Sequence, residues 1–201
     1  MAGICSDVEE LRGPAVVTVL YFLVYYSFMV LQLSTRSAAV ERARKRGVHI
    51  AEGKPFASDV ESDAGARMGE RVFLNTLEQM GAFLASLWMC ALFVSGGLAT
   101  ALGGIAVGSR LGMPVLWSMG PGGAWNIRVE ASTQPYYACV LGMLGAVLLW
   151  GALGINVATA LPTPWLVVFV LGAYAALFIV VLLIGRLLNA LTSTAYAGHL
   201  W

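Results

Sequence analysis

Charge is what this sequence has least of. Asp, Glu, Lys and Arg make up only 11% of its 201 residues, and the stretch from Ala131 to Gly185 contains none of them. A chain so poor in ionised side chains cannot build a water-facing exterior around a core. Its twelve basic and eleven acidic residues nearly cancel, which leaves no broad field to attract nucleic acid. Cys5, Cys90 and Cys139 are odd in number and far apart, so no disulfide framework follows. His49 and His199 stand alone, and no Cys-x-x-Cys, H-E-x-x-H or G-x-x-x-x-G-K-S/T pattern occurs, so metal and nucleotide chemistry have no support. The start, with Asp7, Glu9 and Glu10 ahead of any basic residue, has the wrong polarity for a cleaved leader, and none is expected.

What the chain does have is long apolar runs. Hydrophobic residues form 59% of it, and each uncharged run of about 20 residues can satisfy its backbone within a bilayer by becoming a helix. The spacing predicts an all-α integral membrane bundle with helices over 14–33, 70–94, 98–118, 133–158 and 163–188. A break at Ser95-Gly96-Gly97 divides the second helix from the third, and Pro162 and Pro164 divide the last two. A polar connection over 34–69 is expected to be the main water-facing piece. Eight of the twelve Lys/Arg fall between Arg36 and Arg71. With that connection, Arg128 and Arg186 on one face of the membrane, the basic residues set a consistent orientation for five helices. The amino terminus then lies on the opposite face. Arg42 to Arg46 reads as a juxtamembrane cluster in contact with lipid headgroups.

Two features of the spans ask for explanation. Gly104, Gly108 and Gly112 recur every four residues, preceded by Thr100, and form a smooth stripe for close approach inside the bundle or between subunits. Glu78 and Arg110 are charges in apolar surroundings, each costing a few kcal/mol unless partnered or wetted. Arg71, Asn75 and Glu78, four and three residues apart, project within about 60° of one another on a helix. Arg110 points about 160° away from the glycine stripe. Two readings remain open: Arg110 neutralises Glu78 or each snorkels to water, or these groups together hold a small zwitterionic or anionic ligand.

The segment ERVFLNTLEQMGAFLASLWMCALF, Glu70 to Phe93, with its core R-x-x-x-N-T-L-E, resembles the signature helix of the MAPEG family (membrane-associated proteins in eicosanoid and glutathione metabolism). VERARKRGV at Val40 to Val48 is similar to the family's basic stretch after its first helix, and VGSR at Val107 to Arg110 to its third-helix arginine motif. The resemblance spans about residues 14–130. It implies a MAPEG-like four-helix bundle, here with an additional C-terminal transmembrane helix, assembled as a homotrimer with glutathione as co-substrate between subunits. Carried over by position, Arg71, Asn75 and Glu78 bind the tripeptide, Arg44 lies near the mouth, and Arg128, supported by Arg110, is the catalytic residue that stabilises the thiolate. The activity implied is a glutathione-dependent transferase, peroxidase or isomerase acting on a lipophilic electrophile from the bilayer, in the endoplasmic reticulum or another organelle membrane.

Departures from the family pattern bear on that activity. Met113 and Trp117 stand where aromatic or His residues are usual, Leu74 replaces a polar residue, and Ser109 is inserted before Arg110. Neither Met nor Trp offers what a tyrosine hydroxyl does. An alternative is therefore a catalytically silent MAPEG-fold protein that serves as a structural or lipid-binding subunit of a larger assembly. A small transporter is the third reading, but broken helices and related halves are missing. A tail with Tyr196 and Trp201 suits an interfacial anchor.

Overall fold

A computed structural model of the chain describes residues 8–48, 62–120 and 126–198, with side chains as far as 189. After a 3-10 turn at Val8–Leu11, α1 runs Arg12–Lys45, α2 Ala64–Phe93, α3 Gly96–Leu111, α4 Met113–Ser118, α5 Glu130–Leu153, α6 Val157–Ala160 and α7 Thr163–Gly198. No strand occurs among the described residues. Five helical segments there are long and apolar enough to cross a membrane. The protein is an all-α integral membrane bundle.

The helix bounds differ from the expected ones for local reasons. The expected polar connection over 34–69 is in part helical, since α1 continues through Ser34 to Lys45. Ser34 and Thr35 bond back to the Leu31 carbonyl and Ser37 to that of Leu33, so these polar side chains are satisfied inside the helix. Arg42, Arg44 and Lys45 then meet the negative end of the helix dipole. α2 begins at Ala64, six residues before position 70, because Asp63 caps it and accepts from Gly65 N at 2.9 Å and Ala66 N at 3.1 Å. Arg42 grips the same carboxylate with two bonds of 3.0 and 2.8 Å, clasping α1 to α2 outside the membrane. That ion pair and the cap hold the Asp63 carboxyl below the usual range.

Further along, the third span is interrupted at Gly112, with Pro114 in the first turn of α4. α5 ends at Leu153 because Gly154 takes the left-handed conformation, φ 68°. Asn156 caps α6 and donates 2.8 Å to the Val94 carbonyl, tying this connection to the end of α2. Cys5, His49, His199 and Trp201 lie outside the described residues, and the side chain of Tyr196 outside the described side chains.

The core is a column of rings between α1, α2 and α5. Tyr21 stacks on Phe83 with centroids 4.5 Å apart, and Phe83 lies 5.9 Å from Tyr136. Small residues draw the helices together around it. A Cβ on Gly103 would sit 2.7 Å from Leu87 Cδ1 and 2.8 Å from Val17 Cγ1, and one on Gly145 2.7 Å from Ala173 Cβ. The intramolecular seam of α3 thus runs through Gly103, Ala106 and Arg110, all buried. Gly104 and Gly108, the expected close-packing stripe, face outward with open space beside them.

Candidate functional site

Arg110 is the largest fully buried side chain among the described residues, with 0% exposure. The packing of Val17 against Gly103 fixes its depth. Seven residues further along the parallel helices, Arg110 is level with Val24, near the middle of the uncharged 14–33 run and about 15 Å from either end of a hydrocarbon layer.

No carboxylate pairs with Arg110 among the described residues. Its Nη1 donates 2.5 Å to Asn75 Oδ1 and 3.4 Å to Met113 Sδ. Its Cζ lies 3.7 Å from the centroid of the Tyr136 ring. Nε and Nη2 are buried without a partner. With no carboxylate beside it, the guanidinium has the ring and the amide in place of an anion. A charge-assisted hydrogen bond contributes about 2 kcal/mol and a desolvated cation–π contact about 2 kcal/mol, enough to offset the roughly 3 kcal/mol that an arginine costs at mid-membrane on insertion scales.

The ring itself is held. The Tyr136 hydroxyl donates 3.1 Å to the Gln79 carbonyl on α2, and the Tyr21 hydroxyl donates 2.9 Å to the Thr76 carbonyl one turn nearer the amino end of α2. Thr76 is buried and bonds back to the Val72 carbonyl. Three helices therefore bind the stretch of α2 that carries Asn75.

Asn75 is half-buried, whereas Arg71 and Glu78, on the same side of α2, are exposed. The three do share a face, but it straddles the edge of the bundle: Asn75, on one side of it, turns in to Arg110, while Arg71 and Glu78 point out. Arg110 and Glu78 form no ion pair among the described residues. Beyond Glu78 the exposed line continues through Gly81, Ala82, Ala85 and Met89, all slender or flexible side chains.

The two remaining predicted residues lie apart from this cluster. Gly69 packs against Gln32 and Thr35, so Arg44, nine residues beyond Thr35, is about 13 Å further along α1. It is exposed, on the part of α1 that continues past the apolar run. Arg128 sits in a 3-10 turn, Ile127–Val129, capped by Asn126, which accepts from Arg128 N at 3.0 Å. It is exposed as well. Since Tyr136 meets Gln79 on parallel helices, Arg128 and Arg71, each eight residues earlier, lie at about the same depth.

Sequence reasoning missed Tyr136, Tyr21 and Thr76. No periodicity links residue 136 to residue 110. One chemical signal was available: a guanidinium in an apolar span needs an acceptor or an aromatic face, and Tyr136 and Tyr137 are the aromatics in the first half of α5.

A sequence model of the MAPEG family matches residues 14–115. The match takes in α1, α2, α3 and the start of α4, and with them Arg44, Arg71, Asn75, Glu78 and Arg110. Neither a curated protein nor a solved structure gives a significant match to the chain.

Proposed function

The chain belongs to the MAPEG family, and on that premise we propose that it is a membrane-bound glutathione-dependent transferase, peroxidase or isomerase acting on a lipophilic electrophile. Family membership supports a membrane protein of glutathione or eicosanoid metabolism; the finer reading rests on α2. The observation that carries it is the exposure of Arg71 and Glu78 beside Asn75 on an otherwise apolar, small-residue face. Ionised groups do not face hydrocarbon without a partner. A zwitterionic tripeptide offers one: Arg71 takes a carboxylate, Glu78 an ammonium group, and Asn75 a backbone carbonyl.

The same face fits a neighbouring copy in a homotrimer, with Gly81, Ala82 and Ala85 allowing close approach. Arg128, at the depth of Arg71, acts on the thiol. A cation near the sulfur favours the thiolate, which attacks the electrophile while the thiol proton passes to solvent. Arg44, further out, guides the anionic peptide toward the mouth.

A second reading, a catalytically silent structural or lipid-binding subunit, is favoured by one contact. Met113 packs its sulfur on Arg110, a place where an active relative would carry a hydroxyl or imidazole. Equilibrium binding of glutathione to the purified protein in detergent separates the two. Saturable binding, weakened at least tenfold in Arg71→Ala and Glu78→Ala, supports the enzyme. Absence of binding at millimolar glutathione by folded protein favours the silent subunit.

A further inference from the structure

The contacts of Arg110 are those of a side chain that orients another, not of one that meets a ligand. It is wholly enclosed, and two of its donors have no partner. Stability alone does not call for such a residue, since an apolar side chain of similar volume would fill this space without stranding donors.

Arginine has donors only, so the Asn75 amide must turn its oxygen toward Nη1, at 2.5 Å. That choice leaves Nδ2 on the other side. The nitrogen makes no hydrogen bond among the described residues and is not enclosed, although Asn75 itself is half-buried. A donor is thereby presented beside Arg71 and Glu78.

What keeps Arg110 in place is Tyr136. Its ring lies under the guanidinium at 3.7 Å. Its hydroxyl is anchored to Gln79, one turn beyond Asn75 on α2. We propose that Tyr136 is a positioning residue of the glutathione site. Its ring replaces a carboxylate as the counter-group of Arg110, and Arg110 in turn locks the Asn75 amide with its nitrogen toward the ligand. The relay crosses three helices, α5 to α3 to α2. It rests on the reading of α2 as the glutathione helix, and it assigns the donor of Asn75 to an acceptor oxygen of the ligand.

The test uses the full chain in detergent, with glutathione binding by calorimetry, thermal unfolding, and the side-chain amide signals of Asn75 in 15N spectra. Tyr136→Phe keeps the ring and should bind glutathione within about threefold of wild type, whereas Tyr136→Leu should weaken binding at least tenfold. Asn75→Asp keeps an acceptor toward Arg110 but loses the donor, so it should unfold no earlier than wild type and still bind at least tenfold more weakly. The Asn75 amide pair should be sharp in wild type and in Tyr136→Phe, and shifted or broadened in Tyr136→Leu. Unchanged Asn75 signals in Tyr136→Leu overturn the relay whether or not glutathione binds. If Tyr136→Leu does not fold, wild-type affinity in Asn75→Asp overturns it instead. Wild-type protein that ignores glutathione, yet shows the expected amide response, refutes the ligand reading and leaves the relay standing.

Discussion

Two outward surfaces of this bundle are built on opposite principles. Along α7, up to the exposed Arg186, the large exposed residues are all apolar, among them Val167, Leu171, Ile179, Val180 and Leu183. Along α2 and α3, beside exposed Leu77, Ile105 and Leu111, run small or ionised residues: Arg71, Glu78, Gly81, Ala82, Ala85, Gly104 and Gly108. A lipid tail rewards the first surface, because from Thr163 to Gly185 no side chain is charged and the large ones offer apolar area. The second would be poor in lipid, with charges at depth and grooves that tails fill badly. The difference teaches that exposure in a single membrane chain has two meanings, one toward lipid and one toward protein or ligand. It also separates the family-matched part, 14–115, from the added helix.

The comparison is broken most severely from inside. Arg110→Ala removes the charge that ties α2, α3 and α5 together, leaves a cavity in the core and deprives the Asn75 oxygen of its donor. It should cost about 3 kcal/mol of stability, read as a large fall in unfolding temperature. Leu183→Ala, on the exposed side of α7, should leave that temperature unchanged. Next in size, Glu78→Gln should weaken glutathione binding at least tenfold with no loss of stability, since the side chain is exposed and has no partner among the described residues. If the proposed homotrimer packs through α3, Gly108→Leu should lower its fraction by mass measurement in detergent, by filling the open space beside α3, while monomer helicity stays as it is.

The smallest effect lies outside the bilayer. Asp63→Asn weakens the clasp to Arg42 and should cost about 1 kcal/mol at neutral pH, in the range of an exposed ion pair with a helix cap. The folded-state pKa of Asp63 is depressed. Its contribution is therefore complete above the unfolded value, near 4, and is lost as pH falls through the folded value. Unfolding curves of wild type and Asp63→Asn should accordingly converge below about pH 4.

Much of the architecture was legible in the residues because it follows from solvation. Uncharged runs of about 20 residues have few ways to satisfy their backbones in lipid, and the five spans came directly from that. The ends were less legible. Ser34, Thr35 and Ser37 look like loop residues until their hydroxyls are seen to bond within the helix. At the site, helical spacing placed Arg71, Asn75 and Glu78 on one face but could not tell which of them turns inward. That depends on a partner from α3, and about 60° of rotation separates a half-buried amide from an exposed carboxylate. The glycines show the same limit. Spacing identified a smooth side of α3, yet Gly103, one residue round the helix, does the packing inside the chain. Tyr136 was invisible because its contact with Arg110 joins helices that no local pattern relates.

Cross-linking tests the central contrast most directly. In a Cys5→Ser background, Ala82→Cys on α2 and Leu183→Cys on α7 are each treated with a short bifunctional thiol reagent in native membranes. With Cys90 and Cys139 buried, each chain offers one reactive thiol and a two-armed reagent joins two chains, so a dimer band is expected from Ala82→Cys and monomer alone from Leu183→Cys. Equal cross-linking at both positions, or cross-linking through α7 only, would contradict it.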